Sequence, residues 1–545
     1  MIVYNFNTKI KFFIIFEGLI MKQVGYCIGT TRPNRVNFIT EKPLKLGQFV
    51  ILSYNEDGTE HKLLGMIQKI ERENPFLNGV NSLSQVEGLQ KFSIPETSIK
   101  GEINILGEIV ETDDEVFLKI PRTPPFPAST IYEADPKLLE KIFGAKKESY
   151  VRIGTLLSED NEVPVYVDIE QIVLRHLAIL AVTGAGKSNT VSVLLKNILS
   201  KNGTSVVFDF HGEYAKTNLT RNGKPAVNHI KPFINPVHLR AKEFASLIGI
   251  KQSAHVQYRY FRLALENLFE RLKEEKGENW ESYITTEDFL NRLKEEIENL
   301  ASEDYDGKKK IKGKIRDDSL YEVLNKLEDA YLELGHIIKL GVPPLIEQIK
   351  AGYVNVFDFS ELDEDVADSI ASNLLRWSLE ERKKAVRAND SKLPFPILTV
   401  IEEAHILAGE KVNTQSKYWI ARIAREGRKF GLGIAVVTQR PKGLDKEILS
   451  QMNNMIILKL VEPEDQKHVQ RASESLSSEL MEYLPALNPG EAILLGNMTK
   501  IPLLVKIDKA TEKIEGNDIN VVKEWSKTPV EDEKSRDILD ELEYL

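Results

Sequence analysis

An apolar run that ends in a glycine-containing turn and passes straight into an amphipathic helix constrains this chain more than any other feature. The stretch is LAILAVTGAGKSNT, Leu177 to Thr190. Val191, Leu194, Leu195 and Ile198 follow at i, i+3, i+4 and i+7, the spacing of one buried helical face. Strand, turn and helix in that order are the setting in which a Gly-rich turn cradles phosphate. Gly184 and Gly186 let the backbone curl until its N–H groups point inward at an anion. The helix N-terminus adds partial positive charge at the same place. On this reading Lys187 reaches the β- and γ-phosphates of a nucleotide and the Ser188 hydroxyl ligates Mg²⁺. The pattern G-x-x-x-x-G-K-[ST] opens with Gly, whereas this chain has Ala181. That position closes the turn without touching phosphate, so an alanine with negative φ is compatible. The plainer alternative is a Gly-rich turn in an ordinary α/β sheet, and the flanking pattern weighs against it.

At 545 residues the chain has room for two or three domains with substantial cores. Apolar residues make up 42% and charged residues 28%, a soluble globular balance. A net charge of −10 argues against an all-over nucleic-acid coat and leaves room for a locally basic channel. Cys27 is the single cysteine, which excludes an intramolecular disulfide and suits the reducing cytoplasm. It sits in a strand-like run and reads as a small core residue. The apolar burst Phe12 to Phe16 is too short to span a bilayer and is interrupted by Glu17, so no membrane partner is expected. Met21 begins a run that reads like a natural start, making residues 1–20 a loose extension or an over-called start.

Residues 21–160 read as an N-terminal β-barrel. QVGYCIGTT, RVNFIT, GQFVILSY, KLLGMIQKI and INILGEIVE alternate or run apolar between turn residues. The Pro-rich connector PRTPPFPAST, a short helix around Pro136 to Phe143 and the strand YVRIGTLL then lead to the core, residues 161–507. There SVVFDF, YVNVFDF, FPILTVIEEAHIL, LGIAVVTQRP and NMIILKL alternate with helices. Such runs imply an α/β fold with a RecA-like parallel sheet covered by helices on both faces. Between about Ala241 and Ile349 the period turns helical, marking an insertion. Inside it lies GKKKIKGKIR, with Lys308, Lys309, Lys310, Lys312, Lys314 and Arg316. Such a run is most often a solvated loop; it is also the leading candidate for part of a DNA surface. Residues 508–545 form a polar, acidic C-terminal extension ending in the helical ILDELEYL.

FPILTVIEEAH supplies the second half of an ATP-hydrolysing site. A buried strand delivers Glu402 and Glu403 at its carboxyl end, where ligands bind in open α/β sheets. Glu402 is placed to hold Mg²⁺ through water, and Glu403 is the candidate general base; capping of the next helix is the alternative. Gln439 ends the following strand, placed to sense the γ-phosphate or hold the water. Asp209 either completes the polar rim or forms an Asx turn, and the residues alone do not separate the two. Arg422, Arg425 and Arg428 recur at every third position as a basic ridge. A solvated helix face would explain one or two of them; in a ring, however, one subunit's ridge could meet its neighbour's nucleotide, as an arginine finger does.

TGAGKSNT, DFHGEY, VIEEAH, AREGRKFGLGIAVVTQRP and PGEAILLG together resemble the HerA family, archaeal ring-shaped DNA translocases of the HerA/FtsK ATPase group. The resemblance spans about residues 22–507, with a HAS-barrel-like N-terminal region. It implies ATP and Mg²⁺ contacts at Gly184, Ala185, Gly186, Lys187, Ser188 and Asn189, a catalytic Glu403, and Arg428 acting in trans with Arg425 as second choice. It also implies nucleotide contacts at Arg175, just before the loop strand, and at Lys506 and Ile507 on the last strand. A homo-hexamer pulling double-stranded DNA through its pore is implied. So is a NurA-type nuclease docked on the barrel face, working in end resection beside a separate nuclease–ATPase complex that processes double-strand breaks. Ala181 and residues 1–20 depart from the family pattern. Two other readings stand beside it: a conjugation or secretion pump sharing this ATPase core, and a nucleotide-gated DNA-binding scaffold.

Overall fold

The short strands between residues 19 and 133 close a barrel. In the computed structural model, which describes residues 13–16, 19–73, 82–90, 98–112, 116–144, 147–157, 162–251, 253–300, 317–388, 390–473, 475–499 and 501–511, six strands pair in a ring. Leu19–Arg32, Arg35–Thr40, Ser98–Glu111, Thr59–Glu73, Phe49–Glu56 and Thr130–Glu133 follow one another, and the last pairs back onto the first. RVNFIT shows why: Val36, Phe38 and Thr40 point inward and are buried, while Arg35 and Asn37 are exposed. Cys27 lies in the barrel interior with Val36, Phe38, Val50 and Leu52, and burial pushes its thiol up to about 12. Phe13–Phe16, from the apolar burst, adds an antiparallel strand outside the ring. The remainder of 1–18 lies outside the described residues.

The outside of the barrel packs on the helix Pro136–Phe143, whose Leu138, Leu139, Ile142 and Phe143 are buried. Asp135 caps that helix by accepting from the Lys137 N–H, with Pro136 at its first turn. The Phe49 and Phe143 rings lie 5.2 Å apart, so barrel and ATPase region share one continuous core.

The second sheet has eleven strands in the order Pro164–Asp168, Tyr150–Leu156, Leu503–Ile507, Glu491–Gly496, Asn454–Ile457, Leu177–Leu180, Leu432–Thr438, Ile397–Ile401, Thr204–Asp209, Val354–Asp358 and Val227–Ile230. From Asn454–Ile457 onward all neighbours are parallel, as the unbroken apolar runs imply. The first four strands add an antiparallel edge. Tyr150–Leu156 belongs to this sheet, so the barrel ends before residue 150 and not at 160 as expected. The cause is packing: Val151, Ile153 and Leu156 bury their side chains in the ATPase core.

Helices Ala241–Leu247, His255–Lys276, Thr286–Asn299 and Asp317–Leu334 form the expected insertion before Val354–Asp358. Phe289 stacks on both Phe269 and Trp280 within it. A buried Arg376–Glu243 pair, at 2.8 Å, ties it to the long helix Glu364–Ala388. The basic run Lys308 to Arg316 and the extension from residue 512 onward lie outside the described residues. No described helix is long and apolar enough to cross a membrane.

Candidate active site

The strand Leu177–Leu180 feeds Ala181, which is fully buried and donates its N–H to the Thr438 carbonyl at 3.3 Å. Ala181 is not among the positive-φ residues, so the missing glycine costs nothing there. Gly184 and Gly186 have φ of 76° and 103°. A Cβ on Gly186 would also sit 3.2 Å from the Gly490 nitrogen, so that position needs glycine twice over. Gly490 in turn donates to the Ala185 carbonyl at 2.9 Å. The helix Lys187–Ser200 starts at Gly186, leaving the N–H groups of Lys187, Ser188 and Asn189 without intrahelical acceptors. Val191, Leu194, Leu195 and Ile198 are buried along its face, as the periodicity requires.

Glu402 and Glu403 leave the end of Ile397–Ile401 into very different surroundings. Glu402 is almost fully buried, and its Oε1 accepts from the Tyr214 hydroxyl at 2.7 Å. Its Oε2 is buried with no hydrogen-bond partner. Burial pushes this carboxyl up to about 7, against the opposing pull of Lys187 and the Tyr214 hydroxyl. Glu403 has φ of 39°, a strained left-handed conformation of the kind that clusters at functional sites. Its Oε1 accepts from Lys187 Nζ at 2.5 Å and Gln439 Nε2 at 3.0 Å. His405 Nδ1 stands 3.4 Å from Oε2, and His211 Nε2 3.6 Å from Oε1. Burial works to raise the Glu403 carboxyl, yet the hydrogen bond and charge of Lys187, with Gln439, hold it below its ordinary value. Gln439 also accepts from the Thr183 hydroxyl, so one amide links the phosphate loop to Glu403.

Asp209 is not part of the polar rim. Its carboxylate accepts the backbone N–H groups of His211 (3.3 Å), Glu213 (3.1 Å), Tyr214 (2.8 Å) and Ala215 (3.3 Å). It therefore shapes the loop that aims Tyr214 and His211, and the turn-forming alternative holds over the catalytic one. Asn189 spends its side chain on chain beyond the last strand, donating to the Asp508 carbonyl at 2.9 Å and accepting from Ala510 at 2.8 Å. Its backbone N–H alone faces the anion site. Ile507 donates to the Gly490 carbonyl at 2.8 Å, which brings Lys506 and Ile507 alongside the loop; the Lys506 side chain is exposed.

Arg175, Arg425 and Arg428 lie elsewhere. Arg175 ends the helix that precedes Leu177–Leu180, at the amino edge of a strand whose carboxyl edge carries the loop. The length of that strand separates Arg175 from the phosphate loop of its own chain. Arg428 lies in a one-turn 3-10 helix, Gly427–Phe430, so the ridge breaks after Glu426. Leu432–Thr438 separates it from Gln439, about 20 Å of extended chain. Arg428 is exposed and has no ion pair among the described residues, whereas Arg425 pairs with Glu447 at 2.5 Å and Arg422 with Glu426 at 3.1 Å. The helix Ile169–Arg175 packs against the Arg428 turn, so Arg175 and Arg428 share one edge.

Sequence reasoning missed Tyr214, His211, His405 and Thr183 as neighbours of the carboxylates. DFHGEY carried the signal for two of them. The donor set fits a Mg²⁺-nucleotide: Ser188 has a hydroxyl with no hydrogen bond among the described residues, and Glu402 a partnerless buried oxygen. Mg²⁺ takes few protein ligands besides phosphate and water.

Residues 151–377 match the family model for the central domain of helicase HerA, and residues 24–114 match the HAS barrel domain. The DNA double-strand break repair helicase HerA of Sulfolobus acidocaldarius is 39% identical over 522 residues, covering 95% of this chain and 99% of that protein. Its namesake from Pyrococcus furiosus is 33% identical over 529 residues, covering 89% and 93%. Among solved structures, VirB4 of Thermoanaerobacter pseudethanolicus aligns at 18% identity with a TM-score of 0.47, covering 68% of this chain and 98% of that one.

Proposed function

The chain belongs to the HerA helicase family, and on that premise we propose that it is a ring-forming ATPase that drives double-stranded DNA through a central pore at broken ends. The observation that carries this reading is the division of the site between two edges of one sheet. Lys187, Glu403 and Gln439 converge at the carboxyl edge. Arg428 stands exposed at the amino edge, with no ion pair among the described residues. A closed homo-hexamer, in which each amino edge faces the next subunit's phosphate loop, brings the two halves together.

In that ring Lys187 and the loop N–H groups hold the β- and γ-phosphates of ATP. The Lys187–Glu403 pair competes with both roles, so phosphate drawing Lys187 away frees Glu403 to take the proton of the attacking water. Gln439 bridges Thr183 and Glu403 and so couples the loop to the base. The neighbouring subunit's Arg428 stabilises charge developing on the γ-phosphoryl oxygens. Ser188 and Glu402 would hold Mg²⁺, which would supply neutralising charge when bound.

DNA contacts to phosphate make binding sequence-blind, with Lys308, Lys309, Lys310, Lys312, Lys314 and Arg316 as candidate contributors. A NurA-type nuclease on the barrel face and a nuclease–ATPase complex that processes break ends are the proposed partners, in the cytoplasm. Duplex DNA should stimulate ATP turnover. Glu403→Gln should retain ATP with turnover lowered by about 10²-fold or more. Arg428→Ala mixed with Lys187→Ala, in rings verified by mass, should recover activity above the sum of the two alone. A single-subunit form that hydrolyses ATP at full rate would sink the reading.

A further inference from the structure

The turn that carries Arg428 is held from behind by a buried cation. Arg382, on the helix Glu364–Ala388, is 6% exposed. Its Nε–H donates to the Phe430 carbonyl at 2.7 Å and its Nη1–H to the Leu393 carbonyl at 3.2 Å. No carboxylate pairs with it among the described residues, and burial lowers its pKa from the ordinary arginine value. A buried charge satisfied only by carbonyls is a costly way to fill space, since an apolar side chain of similar shape packs there without the desolvation. The guanidinium is therefore there for what it holds. Phe430 is the last residue of the 3-10 turn Gly427–Phe430, and Leu393 lies in the segment leading to Ile397–Ile401.

The turn is fastened through its backbone and through the Phe430 ring as well. The Ile397 N–H donates to the Gly431 carbonyl at 3.1 Å. A Cβ on Gly427 would sit 2.4 Å from the Leu432 carbonyl, so the chain is pressed against its own next strand. Beside Arg382, Lys383 pairs with Glu426 at 2.5 Å and lies over the Phe430 ring. Arg428 and Lys429, the two side chains the turn presents, are exposed. A turn fixed at both ends and bare at its tip holds the Arg428 backbone in one place.

We propose that Arg382 is a positioning residue, which through its bonds to the Phe430 and Leu393 carbonyls sets where Arg428 enters the neighbouring subunit's site. It rests on the trans-acting Arg428 described above and adds the residue that aims it. A misplacement of about 1 Å far from the chemistry is enough to cost about 10²-fold in rate.

The test is a cycle of Arg382→Met, Arg428→Ala and the double variant, each as full-length assembled protein. Ring mass, nucleotide affinity and ATP turnover are measured for all. Arg382→Met should keep the ring and bind ATP within about twofold of the parent, with turnover down at least about tenfold. The double variant should be no slower than Arg428→Ala alone, because a misaimed finger and a missing one lose the same interaction. Parent-level turnover of Arg382→Met overturns the proposal, and so does an additive loss in the double variant. Parent-level turnover of Arg428→Ala would instead strike the finger reading itself. Should Arg382→Met not assemble, Arg382→Lys keeps the charge but lacks the planar fork that bonds both carbonyls. Intermediate turnover there supports the proposal, and parent turnover overturns it.

Discussion

Removing the Lys187 amine should cost more folding stability than removing both members of its pair. Lys187 Nζ lies 2.5 Å from Glu403 Oε1, with side chains only 9% and 7% exposed. At an effective dielectric near 20, unit charges ~3 Å apart attract by about 5 kcal/mol, most of which offsets the cost of taking both from water. Lys187→Ala leaves the carboxylate buried and uncompensated, a loss of about 3–5 kcal/mol. The Gln439 amide at 3.0 Å still donates to it, which places the expected loss near the lower end, ~3 kcal/mol. Adding Glu403→Gln removes the orphan charge and should return about 2 kcal/mol of that loss. Urea unfolding of the parent, both single variants and the double, all without nucleotide, yields the coupling.

The sign with pH follows from the depressed carboxyl. Glu403 in the folded chain titrates below its ordinary 4.5, so the unfolded chain binds more protons in that window. The pair's contribution is fully present above about pH 4.5 and is lost as pH falls through the folded value. The coupling should therefore be equal at pH 7 and 6, and shrink below 4.5. A coupling under about 0.5 kcal/mol at neutral pH would refute the reasoning, as would one undiminished in acid.

Tyr214→Phe removes the hydrogen-bond donor to Glu402 Oε1, so the Mg²⁺ concentration for half-maximal turnover should rise several-fold and stability fall by about 1–3 kcal/mol; an unchanged Mg²⁺ requirement would count against Glu402 as a metal-side ligand. His176, buried and accepting from the Ile434 N–H, has its pKa lowered by burial from 6.5 to about 4. The unfolded chain is then protonated first as pH falls from 6.5 to about 4, and up to about 3 kcal/mol of stability should be lost across that window. His176→Gln should flatten that acid loss, and an equal loss in both proteins would contradict it. Neutralising Lys308, Lys309 and Lys310 together should reduce the slope of DNA affinity against salt by about 0.9 for each phosphate contact removed. An unchanged slope returns the run to a solvated loop.

The phosphate loop, its helix and the carboxylate strand were legible without a structure, because each is a local object. Its strand, turn and buried helical face occupy consecutive residues, and their apolar spacing is set by the geometry of one strand or one helix. The barrel was legible for the same reason, since side chains that alternate along RVNFIT must face opposite sides of a strand. What folding alone decided was which of these objects meet. Lys187 and Glu403 are 216 residues apart, and Tyr214 and Glu402 are 188 apart. Parallel crossovers bring them to one sheet edge, and no spacing along the chain encodes that. Arg175 sits close in sequence to the loop yet at the opposite edge, because a strand carries its two ends to opposite sides of the sheet. Asp209 could have faced the nucleotide, but four nearby N–H groups in its own loop took its oxygens first. Tyr150–Leu156 could have closed the barrel, but Leu503–Ile507, some 350 residues later, offered it an edge. Local pattern determines the parts because it acts through neighbouring residues; their assembly depends on distant hydrogen-bond partners competing for the same groups.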